Sequence, residues 1–71
     1  METIAIHTEF IKLQDLLQIA DIAASGGEAK GIILEGEASV NGEVCLQRGK
    51  KIRPGDAVLC RGRELAVSYG A

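Results

Sequence analysis

The apolar positions of this chain change period twice. Near its start, Ile4 and Ile6 alternate with Thr3, Ala5 and His7, the period of two expected of a strand with one buried face. Phe10 and Ile11 prolong that apolar contact, and the segment reads as an edge strand. From Leu13 the spacing lengthens. Leu13, Leu16, Leu17 and Ala20 fall at i, i+3, i+4 and i+7, one stripe of a short helix whose Asp15 and Gln18 look outward. Ser25-Gly26-Gly27-Glu28 then has the form of a capping box, in which the Ser hydroxyl accepts from the amide three residues on and the Glu reaches back to the cap. A second helix is expected to begin there, with Ala29, Ile32 and Ile33 on its buried side. Gly36 follows where a left-handed terminating residue costs least, so the helix should close near Glu35.

Beyond Gly36 the period returns to two. Ala38 and Val40 lead into Asn41-Gly42 and out through Val44 and Leu46; both central residues of a type I′ hairpin turn need positive φ, which Asn-Gly tolerates best. Pro54-Gly55-Asp56 makes another turn, followed by a strand over Ala57 to Cys60, a connection at Arg61-Gly62 and a last strand over Leu65 to Ser68. No linker or repeat intervenes, so residues 1–71 form one domain. The expected fold class is α+β, with two short helices packed on one face of a small, mainly antiparallel, twisted sheet. Leu16, Leu17, Ile32 and Ile33 should be buried against Val40, Val44, Ile52, Val58 and Val67. Both helix starts and the loop after Leu46 are left at the surface.

A domain of 71 residues buries only about 60% of its unfolded surface, and its thin core can hardly enclose a substrate pocket of about 300 Å³. The sequence holds no nucleophile and base at a recognisable spacing, no metal-ligand set and no Walker-type phosphate loop. An enzyme, a cofactor and a metal are therefore not expected. His7 stands alone, and Cys45 and Cys60 read as two small, partly buried thiols. The 46% apolar content and mean hydropathy of +0.13 suit a folded globule. No apolar run approaches the ~20 residues that span a bilayer, and acidic Glu2 follows Met1, so a cytoplasmic monomer without a membrane partner is expected.

Charge changes the picture more than composition does. The net charge is −2, yet residues 1–47 carry −6 and residues 48–71 carry +4. Arg48, Lys50, Lys51 and Arg53 place four cations in six positions. In an extended segment they would alternate between faces, so a kink at Gly49 is needed to gather three or more. A Lys-rich edge also deters sheet-to-sheet aggregation, but solubility alone does not require such concentration, and phosphate binding is the favoured reading. A second anion site is offered by the start of the second helix, whose amides lack helical partners. Gly26 and Gly27 present no side chain there, and Lys30 leans back toward it. Arg61 and Arg63 flank Gly62, and whether they extend the patch or face away is left open. With Phe10 read as core and Tyr69 the other aromatic, platforms for stacking bases are missing, and recognition is expected to follow backbone shape.

The ordered series Leu16-Leu17, Ser25-Gly26-Gly27-Glu28-Ala29-Lys30, Glu35-Gly36, Val40-Asn41-Gly42-Glu43, Arg48-Gly49-Lys50-Lys51 and Pro54-Gly55-Asp56 resembles the stand-alone S-four-type (αL-motif) RNA-binding domain, in particular its small bacterial YbcJ/YaaA kind. The likeness runs from about Leu13 through Val67. It implies two helices on a small sheet, with structured RNA, commonly ribosomal or transfer RNA, bound across the helices and the basic strand-loop. Carried over by position, Ser25, Gly26 and Gly27 would meet the RNA backbone, Lys30 would add charge, and Arg48, Lys50, Lys51 and Arg53 would contact phosphates. The chain departs from the pattern at Gly27 and Gly31, where many relatives carry bulkier or basic residues, and in its pI near 5.2. The expected function is a non-catalytic module docking on structured RNA, within the ribosome or another ribonucleoprotein. The alternative of another class is a small acidic protein-interaction or ubiquitin-like carrier module. Carrier chemistry needs a terminal Gly-Gly, where this sequence reads Tyr69-Gly70-Ala71.

Overall fold

The leucine stripe beginning at Leu13 becomes helix α1 (Leu13–Ile19), and the segment after Ser25 becomes α2 (Gly26–Leu34). The computed structural model describes residues 1–70. Around the helices lie strands β1 (Glu2–Ile6), β2 (Ile11–Lys12), β3 (Ala38–Val40), β4 (Glu43–Val44), β5 (Lys51–Ile52), β6 (Ala57–Cys60) and β7 (Arg63–Tyr69). Five of them form a sheet in the order β1-β7-β6-β3-β4, antiparallel except for the parallel β1–β7 pair, while β2 and β5 make a separate antiparallel ribbon. The class is α+β.

Both helices stop in left-handed residues. Gly36 has φ +79°; its N–H bonds to Ile33 O and that of Glu37 to Ile32 O, the paired bonds of a Schellman motif. At the end of α1 the same role falls to Asp21, with φ +61° and with Ile22 N–H bonded to Leu17 O. The cap of α2 is half of the expected box. Ser25 Oγ accepts from the Glu28 amide at 3.2 Å, and among the described residues the Glu28 carboxylate makes no return bond.

The core lies between the helices and one sheet face, where Leu13, Leu16, Leu17, Ile33, Ile52, Val58, Cys60 and Leu65 are fully buried. Val44 does not join it and is 62% exposed. Asn41 and Gly42, with φ of 50° and 87°, make the two-residue turn, and such a turn pairs Val40 with Glu43 and Ser39 with Val44. Because Val40 points inward, Val44 must point out, and Cys45 takes the inward place against the core. Cys45 N–H bonds to Ala38 O while Cys60 pairs with Ala38 from the other side. The two cysteine backbones are thus two strand spacings apart, about 9–10 Å, beyond the ~7 Å Cα separation that a disulfide bridges.

The first apolar segment also divides. β1 ends at Ile6, and after a corner in which the Thr8 hydroxyl donates to Phe10 O at 2.8 Å, Ile11 pairs with Ile52 in the ribbon. Ile11 packs against the core, whereas Phe10 is half-buried and stands outside it. Counting by two from Ile11 gives the reason, because Phe10 falls on the opposite side of the chain, together with Lys12.

Candidate nucleic-acid interface

The β2–β5 ribbon brings together two lysines that lie far apart in the sequence. Ile11 and Ile52 turn inward, so Lys12 and Lys51, which are register partners, face outward side by side. Like charges opposed across a strand pair destabilise it. Among the described residues no carboxylate lies within ion-pair distance of either lysine, or of Lys30, Arg48, Lys50 or Arg53. Lys51 Nζ instead rests over the Phe10 ring, 4.9 Å from its centroid.

The anticipated kink is a turn at Arg48-Gly49, closed by the Lys50 N–H bonding to Gln47 O at 3.1 Å. The loop is anchored on α1, because Leu13 N–H bonds to Lys50 O at 2.9 Å and Gln14 N–H to Arg48 O at 3.1 Å. The start of α1 is therefore not free, contrary to expectation, since loop carbonyls occupy two of its amides. What those bonds gain is orientation, with the carbonyls turned toward the helix and the exposed Arg48 and Lys50 side chains left outside.

Asn41 and Asp56 hold the other side of this loop. Asp56 accepts from the Arg53 N–H at 2.8 Å and from Asn41 Nδ2 at 3.0 Å, while Asn41 Oδ1 accepts from the Ala57 N–H at 2.9 Å. The Arg53 amide, then the Asn41 amide, and beyond them the charges of Arg53 and Lys50 hold the Asp56 carboxyl below its ordinary value. The clip ties the β3–β4 hairpin to the 53–56 turn. Between them runs an open groove of about 820 Å³, lined by Val44, Cys45 and Leu46 together with Lys50, Lys51 and Arg53. It is roomy but unroofed, a shape for a chain laid along the surface.

The anticipated residues at α2 form a second group. Ser25, Gly26, Gly27 and Lys30 are all exposed, and among the described residues the Gly26 and Gly27 amides have no hydrogen-bond partner. The two groups meet through α1. A methyl group on Gly26 would stand 3.8 Å from the Gln18 side-chain amide, and Gln18, half-buried rather than outward, donates to Gln14 O one turn away. Gln14 is the residue whose N–H holds Arg48. The four-residue step from Gln14 to Gln18 in α1, about 6 Å, thus links the start of α2 to the basic loop.

Arg61 and Arg63 belong elsewhere. Arg61 grips Glu37 with two bonds of 3.0 and 3.1 Å, and Arg63 grips Glu2 in the same forked manner, with Nε at 2.8 Å. These hydrogen bonds hold both carboxyls below their ordinary values and push both guanidinium groups up. Burial pushes the Cys60 thiol up.

Residues 4–68 match the family model described as an S4 domain. The chain is 44% identical over 59 residues to the probable ribosome maturation protein RlbA of Bacillus subtilis (strain 168), which covers 83% of each chain. Among solved structures it superposes on the 30S ribosomal protein S4e of Thermoplasma acidophilum with a TM-score of 0.60 at 18% identity, a likeness of fold. That match takes in 80% of this chain and 30% of the ribosomal protein.

Proposed function

Because the chain belongs to the S4 domain family, we propose that it is a non-catalytic RNA-binding module that docks on structured RNA of the ribosome or its precursors. Lys12, Arg48, Lys50, Lys51 and Arg53 contact phosphates along the ribbon and its groove. The Gly26 and Gly27 amides, with Ser25 and Lys30, take a further phosphate at the start of α2. One observation carries the reading. In an acidic protein, where Arg61 and Arg63 close forked ion pairs, the cations of the ribbon and its loop close none among the described residues, and two of them are opposed in register. Such an arrangement is relieved by an external polyanion. The RlbA name and the S4e match support the ribosomal setting, and the compartment that follows is the cytoplasm.

Titration of ribosomal RNA fragments against salt tests the proposal. With four to five phosphate contacts the slope of log K against log salt should be about −3 to −4. The double variant Lys50→Ala, Lys51→Ala should flatten it by about one to two units. An unchanged slope in that variant would remove these residues from the interface.

A further inference from the structure

Phe10 is the largest apolar side chain of the α1 approach, and a thin core has every reason to bury it. It does not. Ile4, Ile11, Ile22 and Cys45 are the partly buried apolar residues packed against the core, and Phe10 is not among them. Its ring lies on the outward side of the ribbon, beside Lys12 and diagonal to it across the register from Lys51. What covers it is the Lys51 ammonium, 4.9 Å from the centroid.

From this juxtaposition we propose that Phe10 is a stacking platform for one unpaired base, covered by Lys51 in the free protein and opened when Lys51 moves to a phosphate. The inference rests on the RNA reading and narrows its ligand to a stem carrying an extruded nucleotide. A cation over the face of a half-buried ring is held more weakly than one in a charge-assisted bond to phosphate, and the flexible lysine stem allows the exchange. Lys12 opposite favours the same departure, since it repels Lys51 from where it stands. Once uncovered, the ring sits amid phosphate-binding cations. A paired base has both faces occupied by its neighbours, so a bulged or looped-out nucleotide is needed to bring a free π-face and its own phosphate to the site together.

The test compares a fully paired, blunt-ended RNA duplex with the same duplex bearing a single adenine bulge. The wild-type protein should prefer the bulged RNA by about five-fold or more, and the Phe10 ring protons should shift upfield in that complex alone. Phe10→Leu keeps an apolar side chain at a position outside the core, and it should lose the preference while keeping the salt slope. Lys51→Met should flatten the slope by about one unit and leave a preference for the bulge. Equal affinities for the two RNAs with unmoved ring resonances, or a wild-type preference in Phe10→Leu, would overturn the platform while leaving salt-dependent RNA binding intact. Absence of salt-dependent binding to either RNA would remove the underlying reading as well. The ring-proton measurement needs no variant, so it decides the matter even if a substitution perturbs folding.

Discussion

Single side chains divide the cations by what they touch. Arg61 and Arg63 look, by position, like members of the basic half, yet each closes a forked pair with an acid from the other half of the chain. Lys12 looks isolated among acids, yet the register sets it against Lys51. Lys12→Glu should therefore raise thermal stability modestly, because an opposite-charge cross-strand pair contributes about 0.2–1 kcal/mol and an acid at the N-cap of α1 suits the helix dipole. The same change should weaken RNA binding, whereas Arg61→Ala leaves the salt slope alone. Rising stability with undiminished affinity would place Lys12 outside the interface. Asp21 offers a test of backbone conformation, though the charge of its carboxylate also acts on Arg63. Its left-handed conformation penalises any residue with a Cβ, so Asp21→Gly should gain about 1 kcal/mol, read as a melting temperature about 4–8 °C higher. A lower melting temperature would mean that the carboxylate compensates for its strained backbone.

Among the elements, those written in local pattern were legible and those written in distant pairing were not. The α1 stripe, the Ser25 cap, the Gly36 stop and the Asn41-Gly42 turn each depend on neighbours a few positions away, and each stands where the pattern puts it. The ribbon joins residues 11–12 to 51–52 through two-residue strands, too short to carry a period, so nothing local announces that Lys12 meets Lys51. Phe10 and Val44 were misread for a related reason. An apolar side chain in a small domain suggests core, but strand parity, counted from Ile11 and from Val40, turns both outward. The Asn41–Asp56 clip is likewise non-local, and it sets the groove. A carboxyl depressed in the folded state lends stability that is complete above its ordinary value and is lost as pH falls through the lowered one. Acidification should thus destabilise the protein, and Asp56→Asn should flatten that acid limb and loosen the loop, weakening RNA binding. An identical acid limb in Asp56→Asn would assign the pH dependence to other carboxylates.

For the whole molecule, the tally of charge along the sequence misstates the tally over the surface. The apparent +4 of residues 48–71 includes the two arginines already matched by Glu37 and Glu2. Subtracting them leaves the positive character on one loop, its ribbon partner Lys12 and, a helix away, Lys30. The motifs that carry the resemblance are themselves locally coded, and the S4 domain model matches residues 4–68 around them. The sheet order adds a property of handling. β1 lies at one edge, zipped in parallel to β7, and β4, which borders the groove, lies at the other. Four strand spacings, about 19 Å, separate them. A tether attached before Glu2 leaves from the far margin of the sheet, so the unit can be grafted onto a longer chain or fixed to a support there with its cationic side still turned to the solution.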